Sequence, residues 1–340
     1  MASNNSMQFT SVLVWFRRDL RLQDHTALSL ALQHSNKVFG CFVFDQDILK
    51  GLPSADRRVN FIHASLVELD EEWRSSAQHK DAGLLVRHGG AVTQIVALAR
   101  QLGVQAVYTH HDDEPQSLAR DAQVLGELAN VGIAFHSFKD HVIFERREVM
   151  TQSGTAYGVF TPYKNAWLKK ITSADLAERR TDAKPGQLAA IPQAMRQPMP
   201  DLKSMGFETI DLEALHIQAG SAGAQALVND FEKRISRYED TRNFPSVKGP
   251  SYLSVHLRFG TVSIRQLVRL AYPLAQAGNE GAQTWLSELI WRDFYHQIMF
   301  HHPHAMSASF KAEYDAIEWE HGKEAKALFE AWCQGQTGYP

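Results

Sequence analysis

Apolar positions along the first 140 residues change period again and again. Short runs rich in β-branched and aromatic residues, Val12 to Phe16, Val38 to Phe44, Leu84 to Arg87, Val104 to Tyr108 and Ile133 to Phe138, are almost continuously apolar, as strands covered on both faces are. Between them lie amphipathic stretches at 25–34, 56–79, 91–102 and 115–130, with the spacing of helices. Gly103 and Gly132 stand where such helices stop before a strand. Strands alternating with crossover helices predict a doubly wound α/β domain with a parallel five-stranded sheet over residues 8–140.

The periodicity fails from about 141 to 215, where Pro162, Pro185, Pro192, Pro198 and Pro200 interrupt any long element. This segment reads as an interdomain linker, with a hairpin candidate around Gln152–Gly154 and a short helix near Lys164 to Ile171. Helical patterns then recur at 222–237, 264–276, 281–300 and 323–334, so that 216–340 predicts a mostly α-helical second domain. At 340 residues and 44% hydrophobic composition the chain can bury two cores. A formal charge of −3 leaves any phosphate binding to a local basic surface. Cys41 and Cys333 lie far apart in apolar surroundings, as in a reduced cytoplasmic protein. The polar opening residues carry no targeting signal, and no apolar run approaches the roughly 20 residues of a membrane span. A cytoplasmic monomer without membrane contact is the expectation.

The candidate chemistry concentrates on one helix. Wound at about 100° per residue, Trp285, Glu288, Trp291, Arg292 and Tyr295 share an arc of roughly 120°, while Leu286, Ile290, Phe294 and Ile298 occupy another face. Indoles, a phenol, a carboxylate and a guanidinium on one face suit a flat partner such as a base or a flavin. The same spacing also suits an ordinary helix whose Trp residues fill gaps and whose Arg292 pairs with Glu288.

Residues 285–295, Trp-Leu-Ser-Glu-Leu-Ile-Trp-Arg-Asp-Phe-Tyr, resemble the signature helix of class I cyclobutane pyrimidine dimer photolyases. Trp15 to Leu22 resembles that family's first strand and turn, and Val159 to Trp167 its linker motif. Tyr238-x-x-x-Arg242-x-x-Pro245 followed by Gly249 to Ser254 resembles the segment entering the flavin site. The resemblance to the photolyase/cryptochrome family implies an α/β domain, a long linker and a helical FAD-binding domain. It further implies light-driven repair of UV-damaged DNA, in which FAD carries the chemistry without a metal or a protein nucleophile.

By that resemblance Tyr238, Ser251, Tyr252, Leu253, Ser254, Trp285 and Arg292 contact FAD. Pro250 stands where relatives often have Thr. Arg242, Glu288, Trp291, Arg292 and Tyr295 face DNA, with Arg242 on a phosphate and Glu288 and Trp291 in the dimer pocket. A base leaving its stack needs replacement stacking and an edge partner, which an indole and a carboxyl supply. Trp319 matches the surface end of the electron-transfer tryptophan chain, whose partners would lie beyond residue 340; within this chain a partly buried packing position is the better reading. The helical domain is therefore expected to be incomplete, with weak FAD binding and little repair by this chain alone. An antenna chromophore, folate or deazaflavin, stays unassigned, because Gln116, Ser117, Met306 and Ser307 depart from the folate pattern.

Two other groups of residues carry candidate chemistry. The histidines 296, 301, 302 and 304, with His110-His111-Asp112-Asp113, lack the spacing of a metal site, and no metal is expected. Arg17, Arg18, Asp19 and Arg21 read as an Arg–Asp ion pair bracing the first turn ahead of a phosphate site. Outside the repair reading stand a cryptochrome-type light receptor and a nucleotide-binding α/β protein with a helical interaction module.

Overall fold

The computed structural model describes residues 8–339. Five parallel strands, β1 (Phe9–Phe16), β2 (Ser35–Asp45), β3 (Leu84–Gly89), β4 (Ala106–His110) and β5 (Ala134–Phe138), form one sheet in the order β3-β2-β1-β4-β5. The connections are α1 (Thr26–His34), the single turn α2 (Gln46–Leu49) with α3 (Arg57–Ala77), α4 (Ala91–Leu102) and α5 (Pro115–Ala129). Alternate residues of β1 serve opposite cores, as the two-residue repeat of a strand requires. Val12, Val14 and Phe16 face Leu28, Leu66 and Trp73, whereas Leu13 and Trp15 face Ile95, Leu98 and Val124. The expected α/β domain is thus present, each strand within a few residues of its predicted bounds.

The expected linker carries α6 (Phe160–Lys170) and packs into both domains. Leu188 bridges to Val38, and Ala189, Ile191 and Met195 join one sheet core while Leu202, Met205 and Phe207 join the other. Ile143, Phe144, Tyr163 and Trp167 belong instead to the helical core. The hairpin candidate is a turn closed by Thr151 and Thr155, and it forms no strand.

The second domain contains α7 (Gly220–Glu232), α8 (Tyr238–Thr241), α9 (Ser254–Phe259), α10 (Ile264–Gln276), α11 (Glu280–His301) and α12 (Gly322–Cys333). α7 stops short of the predicted 237, and the remainder forms one 3-10 turn at Ile235–Arg237. Phe231, Leu267, Trp285, Leu286, Ile290 and Phe294 fill the core of this domain. It meets the first domain at Gly260, whose φ of +66° ends α9 and whose missing Cβ would lie 2.1 Å from the Arg18 carbonyl oxygen. Leu20 N–H donates to the Phe259 oxygen at the same junction.

Candidate active site

The turn after β1 is committed to holding the domains together. Arg21 pairs with Asp140 at 2.5 Å and donates to the Gly260 oxygen. Arg265 of α10 bridges Asp24 and Asp140, each at 2.8 Å, and Ser263 and Arg269 also donate to Asp24. Burial raises the Asp140 carboxyl, but Arg21, His110 and Arg265 overcome that and hold it well below the usual range. The Arg–Asp pair expected within this turn does not form, because its arginines turn to acids elsewhere in the fold: Arg17 reaches Asp121, and Arg18 reaches Asp112 and Glu114.

Asp19 lies instead between two buried imidazoles, 2.6 Å from His110 Nδ1 and 3.1 Å from His25 Nε2, off the ideal hydrogen-bond direction. This is the one group of potential metal ligands among the described residues. A metal-bound imidazole normally donates its other N–H outward. Here the outer nitrogens accept backbone N–H groups, His25 Nδ1 from Leu28 and His110 Nε2 from Ala27. The inner nitrogens therefore keep their protons, and the cluster is a hydrogen-bonded cap on the start of α1. Burial, with His110 nearby, pushes His25 down to about 4. The neighbouring histidine-acid run is dispersed: His111 faces Glu145 at 2.8 Å and Asp113 pairs with Arg146 at 3.0 Å.

α11 starts at Asn279, whose side chain accepts from Ala282 N–H. Its charged and aromatic arc divides on folding. Trp285 is buried, its ring 4.7 Å from Phe231, which in turn meets Tyr238 edge-on at 5.7 Å. Glu288 is exposed and pairs with Arg242 at 2.5 Å, and that guanidinium lies 5.8 Å from the Tyr238 ring. Trp291 is half-buried, stacked on Phe160 at 3.6 Å and on Tyr295 at 5.4 Å, and Tyr295 is 61% exposed. Tyr238, Arg242 and Glu288 thus meet between α8 and α11, with Trp285 buried in the core and Trp291 and Tyr295 further along α11.

Arg292 departs from both roles expected of it. Its guanidinium turns inward and donates to the carbonyl oxygens of His141 and Leu257 at 2.8 and 3.2 Å. Burial, with Arg18 and Arg258 close, pushes it down to about 10. It braces α11 against the linker and α9, and it does not pair with Glu288, because that carboxylate is taken by Arg242.

Asp293, which the sequence reading did not single out, is fully buried. Its carboxylate accepts from Ile143 N–H, Phe144 N–H at 2.9 Å and Trp167 Nε1–H at 2.8 Å. Burial pushes it up to about 6 even against these donors and Arg292. Arg234 was missed as well: it draws in the carbonyl oxygens of Lys248, Gly249 and Pro250 at 2.7, 2.7 and 2.9 Å.

That clamp shapes the segment 249–254. A Cβ on Gly249 would stand 2.4 Å from the Thr241 oxygen, so glycine lets this loop close on α8. Tyr252 is left-handed at φ +58°, uncommon for a bulky residue, and Leu253 follows at φ −84°, ψ 2°. Turns of this kind can present successive backbone N–H groups to an anion. Ser251, Leu253 and Ser254 lie in this turn, so the segment fits a diphosphate. Trp319 does not join the site; it is 75% exposed, contrary to a partly buried packing role.

The comparisons with known proteins match this layout. Residues 12–185 match the family described as DNA photolyase, and 285–340 match the FAD binding domain of DNA photolyase. The chain belongs to the DNA photolyase family. The deoxyribodipyrimidine photo-lyase of a Synechococcus strain is 32% identical, over 97% of this chain and 68% of that protein. Among solved structures, the class III photolyase of Agrobacterium tumefaciens has a TM-score of 0.81 at 26% identity, covering 100% of this chain and 68% of the other. The Sulfolobus tokodaii photolyase, described with two FAD molecules, has a TM-score of 0.72 at 28% identity, over 97% and 68%. A photolyase-family chain uses FAD and acts on damaged DNA, and no helix among the described residues is long and apolar enough to cross a membrane.

Proposed function

We propose that this chain repairs cyclobutane pyrimidine dimers in DNA, in light, through the face shared by α8, the 249–254 turn and α11. The observation that carries the reading is one face of α11 on which exposed Glu288, paired with Arg242, half-buried Trp291 and exposed Tyr295 follow one another. Ser251, Tyr252, Leu253 and Ser254 would hold the FAD diphosphate with backbone amides and the two serine hydroxyls, with Tyr238 and Trp285 against the cofactor. When bound, FAD supplies the light-driven electron that opens the cyclobutane ring and recovers it afterwards.

The chain's own groups bind and orient the lesion. Trp291 and Tyr295 present parallel rings that replace the stacking a displaced base loses. Arg242 and Glu288 form a partly exposed pair, worth about 0–1 kcal/mol in water. A DNA phosphate, bound by two guanidinium N–H groups, outcompetes that single contact. Arg242 then holds the backbone while the freed Glu288 turns to the base edge, so that damaged DNA itself assembles the pocket. We take the protein to act as a monomer in the cytoplasm, with Cys41 and Cys333 both free.

The test is to supply FAD and a reductant and to follow dimers in an oligonucleotide in blue light and in darkness. Dimer loss in light alone, much slowed in Glu288→Ala, is the expected result. Flavin photochemistry without dimer loss would assign the chain to light reception, and absence of both would leave an interaction module.

A further inference from the structure

We infer that Phe160, the first residue of α6, is a positioning residue for the dimer site: it covers one face of the Trp291 indole and fixes its plane for the incoming base. This rests on the repair reading above. The rings of Phe160 and Trp291 are 3.6 Å apart and 7° from parallel. Aromatic pairs left to themselves prefer an offset or edge-on arrangement to such a full-face overlap, so the surrounding packing imposes it.

That packing is visible. The Phe294 ring meets both partners edge-on, 5.8 Å from Phe160 and 5.5 Å from Trp291. α6 is held along its length by the same helix that carries Trp291. Tyr163 lies 5.4 Å from Phe294, Trp167 Nε1 donates to Asp293 at 2.8 Å, and just before α6 the Tyr157 oxygen accepts from Gln297 at 2.8 Å. Asp293, Phe294 and Gln297 therefore grip the linker on one side of α11 while Trp291 and Tyr295 stand toward the site.

The Val159–Trp167 motif thereby becomes part of the active site. With one indole face covered by Phe160 and the Tyr295 ring 5.4 Å away and 21° from parallel, the plane a displaced base meets is set before DNA arrives. Preset geometry of this kind is what converts contact into productive alignment. A leucine would keep the apolar volume and lose the flat backing, whereas a tyrosine would keep the ring.

The experiment uses the 340-residue chain and its Phe160→Leu and Phe160→Tyr variants. Binding in the dark is measured to an oligothymidine carrying one cyclobutane dimer and to the same oligonucleotide undamaged, alongside near-ultraviolet circular dichroism and thermal midpoint. Phe160→Leu is expected to weaken dimer binding by about three- to tenfold, the scale of one aromatic pair. Binding to undamaged DNA and the midpoint stay near wild type, and Phe160→Tyr restores dimer binding. Phe160→Leu also loses the dichroic band that Trp291→Phe loses. Equal weakening toward both oligonucleotides, wild-type dimer binding by Phe160→Leu, or no rescue by Phe160→Tyr overturns the inference. If the wild-type chain does not distinguish dimer from undamaged DNA, the repair reading fails, and an unchanged dichroic band would separately remove Phe160 from control of Trp291.

Discussion

α11 and α12 carry similar sequence signals and meet opposite fates. Both read as helices and are rich in aromatic residues, α12 with a clear apolar stripe and α11 with apolar residues around most of its circumference, yet α11 buries Trp285, Leu286, Leu289, Ile290, Asp293 and Phe294, while α12 buries no residue and leaves Leu328, Phe329 and Trp332 exposed. An amphipathic stripe states that a helix has an apolar face. It does not state that the face has a partner, and most of a helix's stability comes from that partner. α11 has α10 on one side, α6 on another and the 143–144 backbone on a third. The sharpest test of this difference is Trp285→Ala, which empties a packed position against Phe231. It is expected to cost about 3–5 kcal/mol, read as a drop in the denaturation midpoint.

Asp293→Ala probes the polar half of the same contrast. It strands three buried donors, the Ile143 and Phe144 amides and the Trp167 indole N–H. Each unsatisfied buried group costs about 1–3 kcal/mol before relaxation, so a net loss of about 3 kcal/mol is expected in equilibrium unfolding. The variant should also loosen α6, seen as faster amide exchange over 160–170.

A gentler change at the same residue gives a pH signature. Burial holds the folded carboxyl at about 6, above its ordinary value, so the folded chain binds this proton more tightly than the unfolded chain. Its stabilising contribution is full below the unfolded pKa of about 3.9 and is lost as pH rises through about 6. Asp19 and Asp140 have the opposite sign, since their folded values are held well below the usual range. Their contribution is present above about 4 and lost only in stronger acid. Comparing wild type with Asp293→Asn cancels those shared terms, and the stability deficit of the variant should be larger at pH 4.5 than at pH 7.5. A deficit independent of pH would mean that Asp293 stays ionised throughout.

The legible part of this protein is the part whose signals are local. β1 to β5 announce themselves because strands covered on both faces are continuously apolar, and Gly103 and Gly132 mark helix ends through their left-handed backbone. α2, α8 and α9 have only 4, 4 and 6 residues, too few for a 3.6-residue period to show. Within the site, the face bearing Glu288, Trp291 and Tyr295 follows from helical spacing, but Arg292 does not. Four-residue spacing suggests a pair with Glu288, whereas the fold turns Arg292 toward the linker and gives Glu288 to Arg242, 46 residues earlier. Asp293 left one trace, an acid standing among Leu289, Ile290 and Phe294; its partners lie 126 to 150 residues away, beyond any local pattern.

The smallest expected effect lies on the other side of the comparison. Trp332 is 67% exposed, its ring stacked on Phe329 at 5.8 Å. Removing it from the isolated chain neither opens a cavity nor strands a polar group, and substitutions of that kind fall within about 0.5 kcal/mol. Trp332→Ala should therefore leave the unfolding midpoint unchanged, in contrast to Trp285→Ala on α11. Amide exchange over 322–333 should be fast in wild type and variant alike, since a 12-residue helix without tertiary packing is marginal in water. A large midpoint shift on Trp332→Ala, or slow exchange across α12, would show that this face is covered in solution, and the division between the two helices would then be one of partner identity instead of partner absence.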